Sequence, residues 1–322
     1  SNNTAVGYQA GYNNTTGDLN TAVGQNALHA NTTGVSNDAF GGLALDANTT
    51  GSFNVAVGRS SLSTSTTGSN NVALGHAALG ANTTASNNTS VGYQAAASNT
   101  TGADNVSIGK NSFGSNTTGS SNVAIGENAL GSNSTASYNT AVGYRAAYSN
   151  TTGARNLTVG PYSGYSLTTG SGNTFVGAYN TGAGGSGSNI TTGSKNTILG
   201  KFNGNENGLD IRTSSNNIVL SDGDGNPRLY INASGQLLFK EGAAVNAQSN
   251  FYSSDQWAMS VQRPSSSSAG MINFYNGGSY VGGIITSTSS TSYATSSDYR
   301  LKENVDYTWD ATTRLKQLNL RV

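Results

Sequence analysis

Cysteine is absent from this 322-residue chain, so no disulfide framework can hold it together and no zinc site could draw on thiolates. Proline occurs three times, and methionine, tryptophan and histidine twice each. Charge is nearly as scarce: Lys, Arg, Asp and Glu make up 9% of the residues and cancel to a net +0. That balance excludes the clustered Lys and Arg that general nucleic-acid or anionic-membrane binding requires. No stretch approaches the roughly 18 consecutive apolar residues of a membrane helix, so membrane insertion is not expected either. Hydrophobic residues are only 34% of the chain, a value that suits disorder when net charge is high and pattern is missing. Here charge is zero and the pattern is rigid. The chain starts at Ser1 in mid-repeat, has Met259 and Met271 as its only methionines and shows no signal peptide; a fragment or processed product is expected.

What the chain does have is glycine, 43 of them, and most keep time. Glycine recurs every 17 residues at Gly7, Gly24, Gly41, Gly58, Gly75, Gly92, Gly109, Gly126, Gly143, Gly160 and Gly177. Gly200 follows late, after a Gly/Ser insertion around residues 182–188. Four residues before each stands an asparagine, as in Asn20, Asn54, Asn71, Asn105 and Asn122. A strict short period means stacked copies of one backbone unit, a solenoid.

Within a unit, Thr21-Ala22-Val23 and its equivalents read as a short strand, and Gly24 permits a turn closed to residues with a Cβ. A second short strand is expected around Ala27-Leu28, then a turn at Asn31-Thr-Thr-Gly34. Coils of this kind stack about 4.8 Å apart, with the asparagines forming a polar ladder. The residues just before the glycines (Val6, Val23, Phe40, Val57, Leu74 and onward) are expected as an apolar ladder. So few aliphatics stand poorly against about 1–2 kcal/mol of backbone entropy per ordered residue, so an obligate homo-oligomer is expected, burying a second apolar face.

The string Asn3-Thr-Ala-Val-Gly-Tyr-Gln-Ala10, repeated with small changes at residues 88–95 and 139–146, resembles the head repeat of trimeric autotransporter adhesins, a repeat also found in bacteriophage tail fibres. The resemblance covers roughly residues 1–200 and implies an all-β, left-handed parallel β-roll with three chains together, a homotrimer. At the other end, Tyr293-Ala-Thr-Ser-Ser297-Asp298-Tyr-Arg300-Leu-Lys302-Glu-Asn304 resembles the start of an endosialidase-type intramolecular chaperone domain. That resemblance implies trimerisation and self-cleavage at Ser297–Asp298, with Ser297 as nucleophile and Lys302 as its base, a sensible pair if the lysine is desolvated. The family's domain is longer than the segment ending at Val322, so residues 297–322 are expected to be its opening, with a first helix at Thr312–Leu318, and no cleavage is expected from this chain.

Between these ends, residues 201–245 leave the period and read as a β-rich transition, with strands at Asn216–Ser221 and Arg228–Asn232 around the turn Asp222-Gly-Asp-Gly-Asn-Pro227. Asp222, Asp224 and Asn226 echo a calcium loop whose closing glutamate is replaced by Ala233, so a hairpin turn is expected and no metal. Residues 246–296 are expected as a small β domain, with a hairpin at Met271–Tyr275 and Tyr280–Ile285. Its aromatics Tyr252, Trp257, Tyr275 and Tyr280 either form its core or offer faces for stacking sugars. His29 and His76 fall in different slots of the repeat, cannot pair on a metal and are expected to be exposed.

Taken together, the sequence suggests a structural trimeric phage tail fibre, extracellular on the virion, that presents a receptor-binding distal region to a host cell-surface glycan or protein. The alternative is a bacterial trimeric surface adhesin with the same head. An ice-binding solenoid needs a regular threonine array, and the slot after the asparagine is too mixed. A glycan-cleaving enzyme needs converging carboxylates, and Asp210, Asp222, Asp224 and Asp255 carry no motif. No enzymatic activity and no cofactor are expected.

Overall fold

The computed structural model describes residues 2–177, 184–239, 269–276, 279–286 and 291–295. The chain divides into two units, Ser1–Ala247 and Gln248–Val322. Among the described residues there is no helix.

The first unit is a parallel β-solenoid. Strands β1 (Thr4–Val6) and β2 (Thr21–Val23) pair in parallel with Thr4 beside Thr21 and Val6 beside Val23, and the offset of one repeat continues to β12 (Thr197–Leu199). A thirteenth parallel strand, β15 (Ile218–Ser221), pairs with β12, so about twelve full turns separate the first strand from the last.

Each turn has one strand, not two. Residues such as Ala27 and Leu28, expected as a second strand, lie in a chain of tight turns in which Asn26 (φ 57°) and Leu28 (φ 51°) are left-handed. Ser36, before the next asparagine, is a third left-handed residue in the coil (φ 53°). A left-handed residue with a Cβ costs roughly 1–2 kcal/mol, and the reason it is accepted here is the direction of its N–H. Asn26 N donates back to Tyr8 O (2.9 Å) in the preceding coil, while Leu28 N donates forward to Ala44 O (3.0 Å) in the next. The left-handed steps thus turn successive peptides along the solenoid axis, and the turns become as fully bonded between coils as the strands are.

The glycine after each strand is required twice over. Gly92 has φ +134°, a conformation that L side chains rarely adopt. A Cβ there would also lie 2.7 Å from Gly109 O in the next coil.

The interior is narrow. The middle residue of each strand faces inward (Ala39, Ala56 and Ala73 are fully buried) and meets the turn residues Ala44, Leu45, Leu62 and Leu79. Volume is exchanged across this gap where the sequence departs from the rule. Phe113 takes a leucine position, and Ser107 and Ser112, joined by a hydrogen bond of 2.6 Å, are the small residues of its coil. Where Phe175 is the mid-strand residue, Gly164 and Gly187 occupy the leucine slot, and a Cβ on Gly187 would lie 2.7 Å from the phenylalanine ring. Close packing leaves no room for a large group in both of these slots of one coil.

Residues 201–239 leave the 17-residue period, as expected, but they do not leave the solenoid at once. Residues 200–217 form one more coil, enlarged by the hairpin β13 (Asn205–Glu206) and β14 (Leu209–Asp210), and Asn217 enters the asparagine ladder. The sheet then changes direction: β16 (Pro227–Ile231) pairs antiparallel with β15, and β17 (Leu237–Phe239) with β16. β16 therefore covers the open edge that a parallel stack otherwise presents at its end.

In the second unit, β18 (Ala269–Asn276), β19 (Ser279–Thr286) and β20 (Thr291–Thr295) form an antiparallel three-stranded sheet, with the expected hairpin between the first two.

Candidate functional site

The asparagines before the strands form a continuous buried ladder. Asn54 N donates to Asn37 Oδ1 (3.1 Å), Asn71 N to Asn54 Oδ1 (3.0 Å), Asn122 N to Asn105 Oδ1 (3.0 Å), and Asn20 N to Asn3 Oδ1 (2.8 Å). Each side-chain amide then reaches across the coil to a turn carbonyl, as Asn54 Nδ2 does to Gly68 O and Asn105 Nδ2 to Gly119 O. Tyr230 on β16 ends the ladder, its hydroxyl donating to Asn217 Oδ1 at 2.9 Å. A second ladder runs through the Asn-Thr-Thr-Gly turns, where Asn116 Nδ2 donates to Asn99 Oδ1 (2.7 Å) and Gly119 O (3.0 Å). These buried amides are structural: apart from Asn48 Oδ1 and Asn150 Oδ1, which lack a partner where the ladder is interrupted, their polar atoms are spent on the coils.

Three columns of side chains remain for function. The first lies on the outer face of the strands. Residues preceding the glycines stack in register but point away from the core: Val6, Phe40, Leu74, Ile108 and Leu199 are 38–58% exposed. The expected apolar ladder therefore exists outside, and the mid-strand residues supply the interior instead. The strand-opening positions beside it add Val72, Leu157 and Ile218, also exposed. At about 4.8 Å per coil and about 3.3 Å per strand residue, this face measures roughly 60 by 10 Å. The apolar column occupies one edge of it along the full length, while the opening positions mix Val, Leu and Ile with Thr and Asp.

The second column lies on the turns after the glycines and holds the aromatics that the sequence reading passed over. Tyr12 stacks on His29 at 5.8 Å, and His76 on Tyr93 at 5.5 Å, so the histidines do lie apart; His76 is exposed while His29 is half-buried. Tyr144, Tyr148, Tyr162 and Tyr165 cluster around Arg145, whose guanidinium lies 5.3 Å from the Tyr144 ring centre and 5.6 Å from that of Tyr148. Burial against the other rings, then the hydroxyl of Tyr144, push the Tyr162 phenol upward. The signal was present in the sequence as tyrosines one repeat apart at 148 and 165, hidden because the repeat was read for its constant positions.

The third column is the exposed second threonine of each Thr-Thr turn, such as Thr33, Thr50 and Thr67. The first threonine is spent on the next coil, Thr32 Oγ1 donating to Thr49 O at 3.0 Å.

The Asp222–Pro227 segment is the expected hairpin turn. Asp222 accepts from the backbone of Asp224 (3.0 Å) and Asn226 (2.9 Å), from the Asn226 amide and from Arg228 Nε (2.9 Å). The Asn226 amide foremost, with the backbone N–H groups and Arg228, holds its carboxyl well below the usual carboxylate range. Its oxygens are thus engaged within the turn, and no group of three or more His, Cys, Asp or Glu able to hold a metal occurs among the described residues.

Of the distal candidates, Tyr275 and Tyr280 are backbone partners in the register of β18 and β19. Tyr252, Trp257, Ser297, Asp298, Lys302 and the expected helix Thr312–Leu318 lie outside the described residues. No helix among the described residues is long and apolar enough to cross a membrane.

The fold defines the class: an all-β parallel β-solenoid built from a 17-residue repeat. No family model, curated protein or solved structure matches the chain.

Proposed function

We propose that this chain is the shaft of a homotrimeric fibre, three copies packing their strand faces around a common axis as left-handed β-rolls. The observation that carries the reading is the outer strand column. Val6, Val23, Phe40, Val57, Leu74 and their successors do not build the protomer's own core, yet every copy of the repeat keeps the position apolar. Nothing inside one protomer requires that. A partner surface does, since burying a Val or Leu side chain is worth about 1.5–3 kcal/mol. A second copy, with the same repeat distance, is the partner whose rows match along the full length.

The resemblance of the repeats to those of phage fibres, and of the Tyr293–Asn304 segment to the start of their chaperone domain, supports the reading of such a shaft on a virion tail, presenting a distal receptor-binding region to a bacterial surface glycan or protein. The same shaft would equally serve a bacterial surface adhesin. On this reading the protein works by geometry and contact, without an enzymatic activity of its own.

Solution mass by light scattering tests the trimer. A species near three times 32.7 kDa that resists SDS without heating supports it. Leu74→Asp combined with Ile108→Asp is expected to reduce that mass to one chain or to prevent assembly. A clean wild-type monomer overturns the proposal.

A further inference from the structure

A groove of about 360 Å³ runs along the turn face over three coils and ends against Tyr148. It exists because the slot five residues after the glycine, filled by an aromatic ring at Tyr12, His29, Tyr148 and Tyr165, is small here: Ala97, Gly114 and Gly131. One wall is a column of amides, Gln94, Asn111 and Asn128, and the other a column of hydroxyls, Ser98, Ser115 and Ser132. Unlike the ladder asparagines, none of these six side chains makes a hydrogen bond to another described residue. The Tyr148 ring stacks on Tyr165 with one face (5.5 Å, 9° between planes) and borders the groove over Gly131, where a Cβ would come 2.9 Å from its edge. Arg145, between Tyr144 and Tyr148, holds that ring in place.

From this arrangement we infer that the groove binds an extended, uncharged oligosaccharide, with its terminal ring against Tyr148. Each wall offers hydrogen-bonding groups at the coil spacing of about 4.8 Å, amide and hydroxyl alternating across the channel, which suits a chain of sugar hydroxyls. No charged side chain lines the groove, so an anionic or cationic polymer gains nothing from it. An aromatic face takes the C–H side of a pyranose while the ring hydroxyls point sideways to the walls. The volume lies within the usual range for small-ligand sites, and its few placed polar groups fit that pattern. The inference rests on the fibre reading for its biological purpose and moves glycan contact from the distal aromatics to the shaft.

The test uses the full chain on a printed panel of neutral linear di- to hexasaccharides of glucose, galactose, mannose and N-acetylglucosamine, with calorimetry on any hit. Binding that falls at least tenfold in Tyr148→Ala and in Asn111→Ala, but not in Tyr12→Ala, supports the groove. Alanine is tolerated at the Asn111 position, since Ala77 holds the same slot with φ 54°. Light scattering and circular dichroism on each variant report trimer and fold separately. Absence of binding across the panel, or binding indifferent to Tyr148 and Asn111, overturns the inference. A trimeric wild type that adsorbs to host cells after periodate destruction of their glycans overturns it while leaving the fibre reading intact. A monomer refutes the fibre reading whatever the panel shows.

Discussion

Ser65 interrupts the second asparagine ladder, and repairing it provides a sharp test of how the coils hold together. In intact rungs such as Asn116, the amide donates to the preceding rung and to a turn carbonyl, while its oxygen accepts from the following rung, Asn133 Nδ2 (3.0 Å). At Ser65 the side chain is too short to reach either neighbour. Asn48 Oδ1 is left buried without a partner, Ser65 Oγ is too, and Asn82 Nδ2 keeps only its bond to Ala85 O (3.0 Å). Ser65→Asn supplies three hydrogen bonds: to Asn48 Oδ1, to Gly68 O and from Asn82. A net hydrogen bond contributes about 0.5–1.5 kcal/mol, and an orphaned buried acceptor costs about 1–3 kcal/mol. Against this stands the lost rotamer freedom of one asparagine, of order 1 kcal/mol or less. A gain of about 1–2 kcal/mol in unfolding free energy is expected, read as a higher urea midpoint with unchanged m at fixed protein concentration. The reverse change, Asn116→Ser, orphans Asn99 Oδ1 and is expected to cost about 2–3 kcal/mol. The two sites lie three coils apart, about 14 Å, so the double variant should show the sum. A midpoint that falls or stays put in Ser65→Asn refutes the ladder as a source of stability.

Gly92→Ala forces a side chain into φ +134° and against Gly109 O, and is expected to cost at least about 3 kcal/mol or to block folding, measured by urea unfolding. Lys195→Gly acts in the opposite sense. It relieves a left-handed residue (φ 57°) in a slot where Gly172 already sits one coil earlier, and melting should show a gain of up to about 1 kcal/mol. The Asp222 carboxyl is depressed, so its contribution is present above the ordinary carboxylate range near 4 and is lost as pH falls through and below that range. The stability of wild type relative to Asp222→Asn, followed by amide exchange in β16 from pH 7 to pH 2, should therefore shrink toward zero at the acid end. An advantage constant with pH would assign the turn's stability to something other than this charge.

Much of the solenoid was legible because the repeat is a physical constraint. Asn54 and Gly58 recur since one must bond to the coils on either side and the other must hold a backbone conformation closed to side chains. The strand at Val55–Val57 was readable for the same reason. What misled was treating Leu62 as a strand residue. Its φ of 50° reflects bonds to other coils, and propensity, which reports local preference, carries no trace of them. The thirteenth strand was read at Asn216–Ser221, but its place in the stack was not, because a four-residue hairpin enlargement and Ser221 in the glycine slot disguise a coil that still presents Asn217 to Asn196. The ladder before the glycines was expected, but the sequence left its direction open. Period-two alternation over three residues makes Ala56 inward and Val57 outward, but size alone suggests the opposite assignment.

That inversion explains how the protein divides its surface. The mid-strand position of a coil this thin holds alanine, serine or threonine up to Thr158 and a larger residue only at Phe175, Ile198 and Val219, so the other large aliphatics of the strand have no place inside. They stand outside, where solvent penalises them, in a column unbroken from Val6 to Leu220. The turn columns obey no such rule: the slot after the glycine holds Tyr8, Arg59, His76, Lys110 and Glu127 in different copies, since the core does not constrain it. A position kept apolar without an internal reason points to a constant partner; a position free to vary is available for recognition. The strand face and the groove beside Tyr148 fall on opposite sides of that distinction. Substitutions in the first should therefore alter assembly before binding, and those in the second binding without assembly.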